Sequence, residues 1–161
     1  MLNFISKSIK KVFGTKYDRD VTTYAPVVDQ INEEFEKLKS LSNDELRNKT
    51  LHFRERIAAH LAGIDEDIKG LEKEAQEAAD FHRKEDIYNE IDAMTKDRDK
   101  HLEDVLREIL PEAFAVVKET SRRFMENETI TLTATDHDRD IAAAKGYVTI
   151  EGDKAIWKNK W

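Results

Sequence analysis

From Leu46 to Ala78 one rhythm never breaks. Leu46, Thr50, Phe53, Ile57, Leu61, Ile64, Ile68, Leu71, Ala75 and Ala78 follow one another at steps of three or four residues. Such steps keep a stripe on one side of an α-helix and on no other regular structure. The phase survives Gly63 and Gly70, although each costs an exposed helix interior about 1 kcal/mol relative to Ala. One long helix is therefore predicted. Its start is written in Ser42-Asn43-Asp44-Glu45, where hydroxyl and carboxylate can each satisfy an orphan backbone N–H. A second stripe follows at Ile87, Ile91, Met94, Leu102, Val105 and Ile109, interrupted by polar Arg98. Two arms of roughly 35 Å each, at about 1.5 Å per residue, can bury their stripes on one another. The spacing predicts a long antiparallel helical hairpin with its turn at Asp80 to Arg83.

The rest of the composition agrees with an elongated helical molecule. Of 161 residues 38% are charged, and mean hydropathy is -0.72, so core-forming material is modest. The chain has no cysteine, which excludes disulfides and thiolate chemistry and fits a reducing compartment. No apolar run approaches the roughly 20 residues of a membrane span. Lys7, Lys10 and Lys11 interrupt any secretory apolar region, so a cytoplasmic location is expected. Net charge is -7, unevenly spread. Residues 1–16 hold Lys7, Lys10, Lys11 and Lys16 and no acid, whereas residues 58–109 hold sixteen acids and eight bases. The basic patch is short and the acidic bulk repels phosphate, which argues against a nucleic-acid partner.

Helix signals also occupy the flanks. Residues 2–13 carry Leu2, Ile5, Ile9, Val12 and Phe13 on one stripe with Lys7, Lys10 and Lys11 beside it, and Gly14 is a natural stop. Thr15 to Ala25 reads as a linker. Pro26 then opens a helix whose Val27, Val28, Ile31, Phe35 and Leu38 face inward. Pro111 suits a first helical position, where a missing N–H costs nothing. Beyond it Phe114, Val117, Ser121 and Phe124 form one face, and Lys118, Glu119, Arg122 and Arg123 cover the other. After Phe124 the period changes. Thr129 to Thr135 alternates, Ile141 to Lys145 reads as a short helix, and Tyr147–Ile150 and Lys154–Trp157 flank a Glu151-Gly152-Asp153 hairpin signal. The fold class expected is mainly α with a small β appendage. Its parts are a basic helix and linker (1–25), packing helices (26–57), an inserted hairpin (58–109), an amphipathic helix (110–127) and a β-rich appendage (128–161).

Catalytic and metal chemistry find little support. Asp136-His137-Asp138-Arg139-Asp140 has acids where a calcium loop begins, but Ile141 and Tyr147 stand where that loop needs Gly and Glu. Asp136 or Thr135 as a helix cap explains the cluster more simply. Asp65-Glu66-Asp67-Ile68-Lys69-Gly70 fails too, with Lys69 at a ligand position and Gln76 where Glu is required. His52 and His60 belong to no ligand spacing, and His82 with Glu85 and Asp86 reads as a solvated tip. Ser121 lacks a glycine-flanked elbow and reads as a packing residue. The residues expected to bind are in the first helix. An apolar stripe flanked by lysines suits anionic headgroups, which nominates Leu2, Ile5, Lys7, Ile9, Lys10, Lys11, Val12 and Phe13 as a membrane- or channel-docking set. Docking on another part of the same protein is the plain alternative. The acidic hairpin reads as a solvated arm, or as a surface steering a partner.

Three ordered blocks carry a family resemblance. They are Lys11-Val12-Phe13-Gly14-Thr15-Lys16-Tyr17-Asp18-Arg19, then Leu41 through Ile57 around Arg54-Glu55-Arg56, then Leu110-Pro111-Glu112-Ala113-Phe114 through Arg123-Phe124. In that order they resemble the N-terminal region of the SecA family, the ATP-driven motors of bacterial preprotein export. The resemblance implies an N-terminal fragment of a RecA-like motor domain, peripheral at the inner face of the plasma membrane. It also implies ATP and magnesium as cofactors of the full-length motor, and the SecY channel, anionic lipid and preprotein as partners, with a homodimer possible. A phosphate loop needs closely spaced glycines followed by Lys and Ser or Thr, and Gly14, Gly63, Gly70, Gly146 and Gly152 begin no such pattern. The expectation is thus a piece of a motor without cofactor-binding or catalytic residues of its own. The competing one is a free-standing helical interaction module of the same ancestry. Two features depart from the common family pattern: about fifty residues separate the second block from the third, and a β element follows Phe124.

Overall fold

The computed structural model describes residues 15–159. Helix α1 spans Lys16–Leu38, α2 Asn43–Glu77 and α3 Phe81–Glu126. Strand β1 (Thr129–Thr133), helix α4 (Asp136–Ala144), β2 (Val148–Glu151) and β3 (Lys154–Lys158) complete the chain. The three strands form one antiparallel sheet in the order β1-β3-β2.

Two prolines do not start helices, contrary to the sequence reading. Pro26 lies inside α1, and the Thr15–Ala25 stretch read as a linker is helical from Lys16 onward. The earlier start is set by a capping box. The Thr15 hydroxyl accepts from the Asp18 amide, and the Asp18 carboxylate accepts from the Thr15 amide at 2.6 Å. A proline inside a helix costs about 3 kcal/mol, and packing downstream offsets it, where Phe35 and Leu38 are buried and Ile31 packs against them. Pro111 likewise sits inside the 46 residues of α3. Packing on both sides carries the helix through. Ile109 and Ala115 are buried, and the Glu112 carboxylate accepts from Lys49 at 2.9 Å and Arg56 at 3.2 Å.

Helix α2 begins as the sequence predicts, with Ser42 and Glu45 bonded reciprocally. Its stripe faces inward: Leu46, Leu61 and Ala75 are buried and Phe53, Ile57, Ile64, Ile68 and Leu71 are half-buried. Thr50 is exposed instead. Only Ala78, Ala79 and Asp80 separate α2 from α3. The predicted turn was placed too late, because Asp80 is itself an N-cap whose carboxylate accepts from the His82 amide. Along α3, Ile87, Val105 and Ile109 are buried. Across the seam Glu74 meets Arg83 at 2.5 Å, Asp65 meets Arg98 at 2.5 Å, His60 lies beside His101 and Lys49 meets Glu112. Positions fall along α2 as their partners climb along α3.

The sheet buries Ile130, Leu132 and Ala155, with Phe124, Ile150 and Trp157 packed against them. Gly152 opens the two-residue β2–β3 connection with φ 60, which a type II′ turn requires at its first central position. Thr135 caps α4, so β1 stops short of the predicted Thr135 and the helix begins five residues before the predicted Ile141. The amino end of α2 holds the sheet. Asn43 Nδ2 donates to the Thr131 carbonyl at 2.9 Å, and the Asp44 carboxylate accepts from the Thr133 amide and hydroxyl at 2.9 and 2.8 Å.

Candidate functional site

The eight residues predicted to dock on a membrane or channel (Leu2, Ile5, Lys7, Ile9, Lys10, Lys11, Val12 and Phe13) lie outside the described residues. What the structure does place is the surface of α3, and there it inverts the sequence reading. Phe114 and Val117 were expected to pack, yet they are 59% and 64% exposed, and Ser121 beside them is exposed too. Glu119 and Arg123 were assigned to the solvated face, yet they are buried, Glu119 completely.

The inversion has a physical cause at the α1–α2 junction. Helix α1 ends with carbonyls that need donors. Arg123 supplies them: its Nη2 donates to the carbonyls of Leu38 at 3.3 Å and Leu41 at 2.6 Å, and its Nη1 to Asn43 Oδ1 at 2.7 Å. Its Nε donates to Glu119 at 2.7 Å. Arg122 adds two further bonds to Glu119, each at 2.8 Å, and also reaches Glu126. A buried charge is tolerable only when paired and fully hydrogen-bonded, and this carboxylate is. The Arg122 guanidinium outweighs burial, and with Arg123 it holds the Glu119 carboxyl down to about 2.

A second polar clamp joins α2, α4 and β3. Asp138 accepts from Arg47 through both oxygens, at 2.8 and 2.9 Å, from the Thr135 amide and hydroxyl, and from Trp157 Nε1 at 3.0 Å. Burial alone would raise its pKa. The bonds from Arg47, Thr135 and Trp157 outweigh it and hold the carboxyl well below the usual carboxylate range. Asp138, considered in sequence only as part of a calcium-like run, is thus occupied by a guanidinium and an indole. Sequence reasoning missed Arg47 and Trp157 as its partners, since 91 residues separate Arg47 from Asp138.

Between the two clamps lies a cavity of about 260 Å³, walled by Leu46, Val116, Phe124, Ile130, Leu132 and Trp157. Among the described residues no group of three or more histidines and carboxylates could hold a metal ion. The Ser121 hydroxyl donates to the Val117 carbonyl within its own helix. His82 is exposed in the first turn of α3, and His52 lies 3.4 Å from Glu55 on the surface of α2. His60 meets His101 with ring centroids 5.7 Å apart, a contact across the seam that no spacing in the sequence announces. On the side of α3 away from buried Glu119 and Arg123, Leu106, Phe114, Val117 and Met125 are exposed apolar side chains.

The sequence has counterparts among known proteins. The family described as the SecA DEAD-like domain matches residues 9–136. The chain belongs to the SecA family. It is 41% identical over 160 residues to the protein translocase subunit SecA of Flavobacterium psychrophilum, and 43% identical over 160 residues to that of Christiangramia forsetii. Both alignments cover 99% of this chain and 14% of the relative. The SecA subunit of Amoebophilus asiaticus is 43% identical over 157 residues, covering 96% of this chain and again 14% of the relative. No solved structure matches. The SecA alignments run through the residues of the α2–α3 seam and of the sheet. No helix among the described residues is long and apolar enough to cross a membrane.

Proposed function

We propose that this chain is the N-terminal portion of a SecA-type motor that drives ATP-dependent preprotein export through the SecY channel. The observation that carries the reading is the match over 99% of the chain to subunits of which it spans only 14%. In that reading residues 58–109 are an inserted antiparallel helical hairpin. The exposed face of α3 at Phe114 and Val117 supports a bracing role against the first RecA-like nucleotide domain, which other parts of the motor supply. Residues 2–13 dock on anionic lipid and the channel at the inner face of the plasma membrane. ATP and magnesium act elsewhere in the motor, and this chain carries no nucleotide site.

Two measurements test this. Calorimetry of the isolated chain with ATP and magnesium should give no binding in the micromolar range, and binding abolished by a substitution within residues 1–161 would overturn the assignment. Co-sedimentation with vesicles should require anionic lipid, weaken with salt and be lost when Lys7, Lys10 and Lys11 are together replaced by Gln. Equal binding to neutral and anionic vesicles would remove the membrane role.

A further inference from the structure

Helix α1 has two halves with opposite fates on one face. Tyr17, Val21, Tyr24, Val28, Ile31, Phe35 and Leu38 succeed one another at steps of four or three, so they share one side of the helix. In the carboxyl half that side is the core: Phe35 and Leu38 are buried, with Ile31 packed on them. In the amino half the same side is bare, with Tyr17 74% and Tyr24 63% exposed and Val21 and Val28 about half exposed. Every residue from Lys16 to Pro26 is exposed. A helical stretch with an apolar stripe and no cover is marginal in water by itself.

We propose that residues 2–13 of this same chain cover that stripe, folding back on α1 as a short antiparallel helix when no lipid is present. Position and length favour this occupant. The segment enters α1 directly, through Gly14 and the Thr15 cap, a connection short enough for a helical hairpin. As a helix it would be about 18 Å long, against about 16 Å from Tyr17 to Val28. Folding back places Phe13 by Tyr17, Ile9 by Val21, Ile5 by Tyr24 and Leu2 by Val28, matching one apolar side chain to each bare one. Charge favours it as well. Lys7, Lys10 and Lys11 flank the apolar stripe of the segment, while residues 16–34 of α1 carry Asp18, Asp20, Asp29, Glu33 and Glu34 against Lys16 and Arg19. The apolar residues that would meet a bilayer are then the ones buried on α1. Anionic lipid and α1 compete for one surface. The competition rests on the membrane reading above; the docking itself does not.

The absence of cysteine from the chain makes the test direct. Residues 1–161 carrying Ile5→Cys with Tyr24→Cys are oxidised at dilute concentration, beside a control pairing Ile5→Cys with Tyr88→Cys near the hairpin tip. The disulfide within one chain should form at least tenfold faster for the first pair. Vesicles of anionic lipid should suppress it several-fold and neutral vesicles should not. Tyr24→Asp, in the otherwise unaltered chain, should raise binding to anionic vesicles by uncovering the segment. Equal rates for the two pairs would overturn the docking, as would a disulfide found only between chains, which would make a second copy the occupant. Rapid cross-linking without any vesicle binding would leave the docking standing and remove the membrane reading instead.

Discussion

The junction of α1, α2, α3 and the sheet is built differently from the outer reach of α2 and α3. At the junction, buried ions and apolar clusters occur together. Glu119, Arg123 and Asp138 are the buried charged groups among the described residues, and all three sit there with their bonds made. Farther out, the two helices share a thin seam, Leu61, Ala75, Ile87 and Val105, flanked by ion pairs open to water. The two parts are specified in different ways. The seam is repetitive, and any apolar residue of suitable size serves it. The junction is particular, because each charge there answers a group from a distant part of the chain.

The largest effect should come from breaking the junction. Arg123→Ala removes the guanidinium bonds to the Leu38 and Leu41 carbonyls, leaves Leu38 the Leu41 amide at 3.1 Å, and leaves Glu119 buried with only Arg122. Loss of one partner from a buried pair costs about 3–5 kcal/mol. Urea unfolding should show that loss, and α1 should loosen first in hydrogen exchange. A variant within about 1 kcal/mol of the parent would mean that water replaces the guanidinium easily.

Cutting the seam should cost somewhat less and stay local. Ile87 is fully buried, so Ile87→Ala should destabilise by about 2–4 kcal/mol. Hydrogen exchange should quicken in the outer parts of α2 and α3 while the sheet keeps its protection. Should the sheet lose protection equally, the two regions unfold as one unit and the contrast between them fails.

Acid should separate the regions without a mutation. The Glu119 carboxyl is depressed to about 2 from an ordinary value near 4.5. A group whose pKa is lower in the folded state contributes stability above its unfolded pKa and loses it as pH falls through the folded one. The contribution, roughly 3 kcal/mol, should be intact above about pH 5 and decline between about pH 4.5 and 2. Asp138, also depressed, adds to the same decline. Glu119→Gln should flatten this part of the profile.

Much of the seam was legible in the sequence, because one period governs it. The inward stripe of α2 and the start at Ser42 were visible as steps of three and four and a capping box. The prolines misled because local chemistry makes Pro26 and Pro111 good first residues, whereas packing downstream carries α1 through Pro26 and packing on both sides carries α3 through Pro111. Glu119 and Arg123 were read as solvated for a related reason. A charge on a helix face is usually in water, and nothing near Arg123 in sequence reveals the Leu38 and Leu41 carbonyls that it caps. Phe114 and Val117 showed an apolar face but not that the described residues leave it open. The β2–β3 turn was legible through Gly152, while the pairing of β1 with β3 was not, because it spans α4.

The smallest effect is expected at the polar break in the second stripe. Arg98 interrupts the second stripe and meets Asp65 at 2.5 Å, with both side chains about one-third exposed. The guanidinium, bonded to the Asp65 carboxylate, lowers that carboxyl's pKa. Yet water and salt screen a pair in this position, so its net worth is small. Replacing Asp65 and Arg98 together by Leu removes both charges and extends both apolar stripes. Stability should change by less than about 1 kcal/mol in either direction, and 0.5 M salt should shift the parent more than the variant. What the pair supplies beyond energy is register: a one-turn slip of α3 along α2 would leave Arg98 and Asp65 apart, whereas Leu packs nearly as well one turn away. The double variant should therefore keep its helicity while its α2 and α3 resonances broaden. If it instead lost several kcal/mol, the outer reach would depend on particular partners as much as the junction does.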